Sequence, residues 1–446
     1  MRTAGRSETA RQIVHMCMGV FALLLRWLTW WQALLMAVAA LAFNMFVLPS
    51  LARGIYREGD TERALHGIVF YPISVAILLL LFPRRLDIVA AAWGILALGD
   101  GAATLAGRAI GGPRWPWNRD KTAAGSTALA VFGGAAGMFL AWWCRDAAAQ
   151  PGSLRFIVIA PMAAAVIAAA VESLPVRLDD NLSVALSAGV ALWLASLVST
   201  AAVGEASASI LRRLPWALAV NSVVAAAGYR ARTVSASGAI AGATIGCVIF
   251  CALGWQGWMM LFVTFLAAAM ATRMGFQRKM LLGIAEERGG RRGAGNAIAN
   301  TGVAAIAAVL AVASIHAEAA RWVFAAALAA GGSDTIASEI GKAWGRTTWS
   351  ITALAPVPPG TSGAMSMEGT AAGIFGAILL GAIAILLKLV PGTALAVIVI
   401  ASTIGALIES GLGATLEAPG IVNNDMLNFF NTAAAALVAL ALFART

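Results

Sequence analysis

The feature that most constrains this chain is the recurrence, along its whole length, of uncharged apolar runs of about 18 residues or more. Such runs are the signature of helices that cross a bilayer. Inside hydrocarbon every backbone N–H and C=O must find a partner within its own segment, so these runs must be helical. The predicted fold is an all-α, polytopic helical membrane protein. About 15 spans are expected at about 20 residues each, centred near residues 22, 40, 75, 95, 135, 163, 191, 218, 243, 265, 303, 328, 376, 399 and 436. Composition agrees. Of the 446 residues, 60% are hydrophobic and only 12% charged, and the mean hydropathy is +0.83, whereas soluble chains carry about 25% charged residues.

The net charge is +10 and the isoelectric point near 10.3. No basic stripe interleaves with exposed aromatics, so a nucleic-acid partner is not expected. Basic residues that hold cytoplasmic loops against anionic lipid account for the charge. With the N-terminus inside, about 21 of the 31 Lys and Arg fall in inside loops. They include Arg53, Arg57, Arg63, Arg108, Arg114, Arg119, Lys121, Arg278, Lys279, Arg288, Arg291, Arg292, Lys342 and Arg346. The expectation is a multi-pass protein of a bacterial inner membrane whose polar loops face the cytoplasm. No cleavable signal is expected after "MRTAGRSETARQ". The four cysteines, Cys17, Cys144, Cys247 and Cys251, lie in apolar segments without flanking His or acid, which disfavours a zinc site and suits small packed hydrophobes.

Self-similarity organises the polar residues. "GDGAATLAGRAIGG" (99–112) aligns with "SDTIASEIGKAWGR" (333–346), placing Asp100 on Asp334, Gly107 on Gly341, Arg108 on Lys342 and Gly111 on Gly345. The same offset sets Glu62 against Asn296 and His66 against Asn300. With small indels, "AAGST" (123–127) then faces "MEGTA" (367–371), and "VESLPVRLDDNLS" (171–183) faces "IESGLGATLE…IVNNDMLN" (408–428), placing Glu172 on Glu409. Four matches in one order read as a tandem duplication. The repeated sets begin at the third and eleventh spans, so the two copies are expected to run parallel, with domains 1–204 and 205–446.

An ionised Asp in hydrocarbon costs at least about 2.5 kcal/mol, so Asp100 reads as functional. It ends an apolar run and is expected to terminate its helix. Beyond it, glycines that admit a bulky anion mix with Arg108, Arg119 and Lys121. Thr122, Gly125 and Ser126 follow at the expected start of the next helix, a seat for phosphate. An acid beside this cradle reads as Asp holding Mg²⁺ against a polyphosphate. The competing reading is a positive loop with a helix-capping aspartate. Glu172, Asp179, Asp180 and Asn181 form a second acidic group, which reads either as a further carboxylate set or as an interfacial turn capping the next helix at Asp180 or Asn181.

In the second half, Asp334, Glu409, Asn424 and Asp425 occupy the matching positions, with Glu368 near the next helix start. Arg292, Asn296 and Asn300 follow a basic glycine-rich stretch. Gly360, Thr361, Ser362 and Gly363 resemble a backbone-amide nest for phosphate, with Gly369 and Thr370 after it. A flexible loop is the alternative for both stretches.

At these residues the halves resemble known families. From "ERALH" (62–66) through "GDGAATLAGRAIGG" and "PWNRDKTAAGS" (116–126) to "ESLPVRLDDNLS", the first half resembles the phytol and dolichol kinase group, distantly related in motif to CTP-using phosphatidate cytidylyltransferases. The second half resembles phytyl-phosphate kinases at "TVSASGAIAGATIG" (233–246), "GIAEERGGRRGAGNAIANTGV" (283–303), "GGSDTIASEIGKAWGR", "PVPPGTSGAMSMEGTAAG" and "IESGLGATLE". The resemblance implies a bifunctional kinase that converts phytol or a similar prenol to its monophosphate and then its diphosphate, with CTP or another nucleotide as donor and Mg²⁺ as cofactor.

It implies acidic roles for Asp100, Glu172, Asp180, Asp334, Glu368 and Glu409, and metal contacts from Asp100, Asp179, Asp180, Asn181, Asp334, Asn424 and Asp425. Nucleotide or phosphate contacts are implied for Gly107, Arg108, Asn118, Arg119, Lys121, Thr122, Gly125 and Ser126. In the second half they are implied for Arg292, Asn296, Asn300, Lys342, Gly360 to Gly363, Gly369 and Thr370. Two departures leave donor preference open: Asp120 stands before Lys121 where a basic residue is usual, and Ala64 stands where Lys is frequent. The second half has no counterpart of Lys121, so Lys342 or the "GRRG" arginines must serve. The rival readings are a lipid cytidylyltransferase and a lipid or prenyl-phosphate transporter.

Overall fold

The computed structural model describes residues 2–48, 61–175, 177–284, 291–417 and 419–445, and only the backbone at 2–8, 10 and 61–67. The side chains of Glu62 and His66, the arginines Arg53, Arg57, Arg63 and Arg288, and Ala64 lie outside the described residues. The protein is almost wholly helical and divides into two compact units, Met1–Ser196 and Leu197–Thr446. The boundary expected at 204/205 falls inside the helix Thr200–Arg230 of the second unit.

Ten helices among the described residues are long and apolar enough to cross a membrane, rather than the 15 expected. Two expected centres, 243 and 265, share the helix Ala236–Arg273, which breaks at Gly254 with φ 70°. Centre 22 falls in the short 3₁₀ segment Gly19–Arg26, and centre 75 in the shorter apolar stretch Ile68–Leu81. Centre 191 falls in the 17-residue helix Asp180–Ser196. Centre 328 falls in Ala317–Trp344, whose Glu318, Arg321, Asp334, Glu339 and Lys342 dilute its apolar character. Apolar side chains stand exposed on many helices, Phe46, Trp216 and Leu437 among them, as a surface facing lipid requires.

In the first unit, "LDIVAAAWG" is apolar on every face apart from Asp87, which Arg85 pairs at 2.9 Å, and forms the central helix Leu86–Gly94, buried at Leu86 to Ala92 and at Gly94. A helix apolar on every face belongs in the middle of its bundle. It runs through a π-helical turn, Ile95–Asp100, into Gly101–Ala109. Asp100 therefore does not terminate a helix; nine helical residues follow it, about 13 Å of axis. The next helix, Ala123–Trp143, carries its own π turn at Leu129–Gly133. The two π turns pack where Gly99 and Gly133 meet, each leaving only 3.2 Å between a Cβ and the other's Cα. Widened turns of this kind often mark functional sites.

In the second unit the middle of Ala317–Trp344 is buried without interruption from Phe324 to Ser333. It packs against Ala236–Arg273, Ala294–Ala313, Met367–Leu386, Ala394–Leu412 and Asn424–Phe443. The loop after it is not wholly irregular. It forms three short antiparallel strands, β1 (Thr348–Ser350), β2 (Ala355–Val357) and β3 (Ala364–Ser366), in the order β2-β1-β3. These nine residues leave the fold all-α as expected. Gly360 and Gly363, with φ 87° and 71°, turn the chain between β2 and β3.

Candidate functional site

In the first unit Asp100, Glu172 and Asp180 converge: one carboxylate oxygen from each lies within 4.8 Å of the other two. They come from the π turn, the C-terminus of the helix Leu154–Glu172 and the first turn of Asp180–Ser196. Lys121 Nζ donates to Glu172 Oε1 at 2.5 Å and to Asp180 Oδ2 at 2.8 Å. Burial opposes the charge on Lys121, but the two carboxylates outweigh it and raise its pKa above the ordinary lysine value. His15 Nε2 sits 3.5 Å from Asp100 Oδ2, a neighbour that the sequence did not suggest.

The loop 110–122 folds back over this cluster's end of the unit. Trp117 Nε1 donates to Ser173 Oγ at 3.3 Å, Asn118 Nδ2 to the Leu174 carbonyl at 3.2 Å, and Trp115 Nε1 to Ser126 Oγ at 3.0 Å. Asn118 and Ser126 thus tie the loop down. Thr122 caps the next helix by accepting from Gly125 N at 3.1 Å. Gly107 lies under it, where a Cβ would meet Thr122 Oγ1 at 3.1 Å. Arg108 and Arg119 are exposed. Asp179, rather than Asp180 or Asn181, caps the helix at 180: its Oδ1 accepts from Asn181 N at 2.9 Å and Asn181 Nδ2 at 2.8 Å.

In the second unit one cavity of about 370 Å³ gathers most of the expected residues: Arg292, Asn296, Asp334, Lys342, Gly360 to Gly363, Gly369, Thr370, Glu409 and Asn424. The carboxyl groups of Asp334 and Glu409 lie within hydrogen-bond reach of each other. Two carboxylates so close repel unless a proton or a cation lies between them. Ser366 caps the helix Met367–Leu386 by accepting from Gly369 N at 3.1 Å, and Gly341 lies under it. Arg292 Nη2 donates to Thr272 Oγ1 at 3.3 Å.

Three expected residues do not line this cavity. Glu368 stands on the first helical turn of Met367–Leu386, outside the lining that its neighbours Gly369 and Thr370 join. Asp425 lies against Gly295, whose Cβ would strike its Oδ2. Asn300 donates to the Asn296 carbonyl at 3.0 Å and lines a second cleft instead. Asn428, in the polar group that follows Glu409, lines the polar cavity too, and so do Glu417, Ser366, Thr335 and Ser410, which the sequence did not suggest. Glu417 accepts from the Ser362 hydroxyl. Its signal was its place two helical turns beyond Glu409, and that of Ser366 was a serine just before an apolar helical run.

The second cleft, about 140 Å³, is largely apolar and lies among Thr200–Arg230, Ala236–Arg273 and Ala294–Ala313. It shares Arg292 and Asn296 with the polar cavity.

Residues 219–436 match an integral membrane protein family designated DUF92. An uncharacterised membrane protein of Synechocystis sp. is 36% identical over 200 residues, 44% of this chain and 77% of its own. The chloroplast protein VTE6 of Arabidopsis thaliana is 35% identical over 214 residues, 46% of this chain and 64% of its own. A probable chloroplast phytol kinase of Glycine max is 29% identical over 193 residues, 40% and 60% of the two chains. The chain thus spans less than two thirds of the latter two relatives. No solved structure matches. With an apolar helical fold, a polar cavity inside residues 219–436 and this likeness to the Synechocystis protein, the chain belongs to the DUF92 family of integral membrane proteins.

Proposed function

We propose that this protein is a prenol salvage kinase that works in two steps, phytol or a similar prenol to its monophosphate in the first unit and monophosphate to diphosphate in the second. The observation that carries the reading is the junction in the second unit. A polar cavity with paired carboxyls, two cations and a glycine turn abuts an apolar cleft through Arg292 and Asn296. A lipid phosphate needs that pairing of surfaces, its head among cations and amides and its tail among apolar side chains. The name of the Glycine max relative, a probable phytol kinase, supports the prenol kinase part of it. The matching devices in the two units, Thr122 over Gly107 and Ser366 over Gly341, support a duplicated origin.

A divalent cation such as Mg²⁺ fits both acidic sets. In the first unit three carboxylates converge; in the second, Glu409 Oε2 is buried without a hydrogen-bond partner beside Asp334. Asp100 with one of Glu172 and Asp180 would hold it in one unit, leaving the other as base, and Asp334 and Glu409 would hold it in the second, where it would neutralise phosphate oxygens.

The prenol oxygen attacks the γ-phosphorus of the nucleotide, the bond to the β–γ bridging oxygen breaks, and the nucleoside diphosphate leaves. The alcohol's proton passes to Glu172 or Asp180. In the second unit the attacking oxygen belongs to the monophosphate, and no alcohol proton needs removal. Lys121 in one unit, Lys342 and Arg292 in the other, offset the charge on the transferring group, so catalysis is mostly positioning and electrostatics. CTP is the proposed donor, with the cavities open to the cytoplasm.

The test is purified protein with Mg²⁺, a panel of nucleotides and either phytol or phytyl monophosphate, products resolved as mono- and diphosphate. Both products should form, with CTP preferred. Failure of every nucleotide to phosphorylate either lipid would remove the proposal.

A further inference from the structure

The apolar cleft of the second unit has two distinct ends. At one, Gly238 presses on the Arg292 carbonyl and Thr272 accepts from Arg292. Both belong to the broken helix Ala236–Arg273, on either side of Gly254. Its two arms therefore start together beside the cation and run away from it. Eight residues along the first arm, about 12 Å, Gly246 meets the Asn221 side chain. On the second arm, Trp258 donates from Nε1 to the same Asn221 Oδ1 at 3.0 Å and stacks on Phe262 with centroids 5.1 Å apart. Asn221 is itself buried and anchored to the Ala217 carbonyl at 2.8 Å. The far end of the cleft is thus a fixed indole wall, and between wall and cation lies Gly242, where an added Cβ would meet nothing within 4 Å.

We infer that Trp258, held by Asn221, sets the length of prenyl chain that this site accepts, the chain lying along the Gly238–Gly242 face with its phosphate at Arg292. The occupant follows from continuity: the cleft opens at the cation of the polar cavity, so what fills it carries its negative head there. This rests on the prenyl-phosphate reading of the site.

The experiment measures binding of geranyl, farnesyl, geranylgeranyl and phytyl monophosphates to the full-length protein in nanodiscs, for the wild type, Gly242→Leu and Trp258→Ala. An added Cβ at 242 meets nothing within 4 Å, so the variant should fold as the wild type does. It should weaken the longer lipids by about tenfold or more and spare geranyl monophosphate. Trp258→Ala should move the preference towards longer chains. If the wild type binds these lipids and Gly242→Leu leaves their order of affinity unchanged, the length gauge is wrong while the site's reading stands. If the wild type binds none of them, the reading of the site fails and the gauge with it.

Discussion

Lys121 and Glu172, 51 residues apart in sequence, meet at 2.5 Å beside Asp180 in the first unit. The lysine arrives on a loop tied down by tryptophans, and the glutamate on the last residue of a helix. Their meeting makes the loop part of the acidic cluster. Lys121→Met should lower formation of the monophosphate by about a hundredfold or more, the usual cost of losing one group that stabilises transition-state charge. Lys121→Arg should recover part of it. Radiolabelled phytol with product chromatography reads both.

The two carboxylate sets should be separable. Asp100→Asn should block monophosphate formation yet leave the diphosphate step intact when phytyl monophosphate is supplied. Asp334→Asn should do the opposite and accumulate monophosphate. Each loss should be about a hundredfold or greater. Equal damage to both steps by either variant would argue against separate sites.

Metal removal gives a third test. Chelation by EDTA should stop both steps, and excess Mg²⁺ should restore them, because carboxylates grouped this closely fit a hard divalent cation. Activity unaffected by exhaustive chelation would count against cation binding at either set.

Glycine chemistry should discriminate between two turns. At Gly363, φ is 71° and a Cβ would stand 2.2 Å from the Ser410 carbonyl oxygen. At Gly112, φ is 95° but nothing lies within 4 Å. Gly363→Ala should therefore cost about 1–3 kcal/mol and damage the second step, whereas Gly112→Ala should cost about 1 kcal/mol. Thermal unfolding in detergent compares them.

Lys279 and Glu339 form a fully buried ion pair, 1% and 2% exposed, that fastens the short helix Phe276–Leu281 to Ala317–Trp344. Lys279→Met alone leaves a buried carboxylate without its cation and should cost about 3–5 kcal/mol. Adding Glu339→Met should return much of that. A denaturant series on the single and double variants measures the difference.

Much of the helical architecture was legible in the residues, because the bilayer imposes it locally: a run such as "LDIVAAAWG" can bury its backbone polar groups only as a helix, wherever its neighbours stand. Asp100, Asp334, Glu172 and Glu409 stood out for the same reason, being acids in apolar surroundings. Where the chain parted from expectation, short-range signals competed. Asp179 took the cap that Asp180 or Asn181 was expected to fill, since neighbouring acids offer nearly equal caps. The three-residue strands β1 to β3 escape the sequence because Pro and Gly interrupt the stretch that carries them.

Sequence alone determined that this chain is a bundle of membrane-length helices bearing acids and glycine-rich turns. Tertiary structure decided which of those groups share a cavity: Asp334 with Glu409 and Glu417, but Glu368 and Asp425 outside it. It also decided that an apolar cleft opens beside Arg292. The physical reason is range. Helix formation is settled within a few turns by burial and hydrogen bonding, whereas convergence depends on how helices cross, and that is set by close contacts such as Gly99 on Gly133 and Gly341 under Ser366 between residues far apart along the chain.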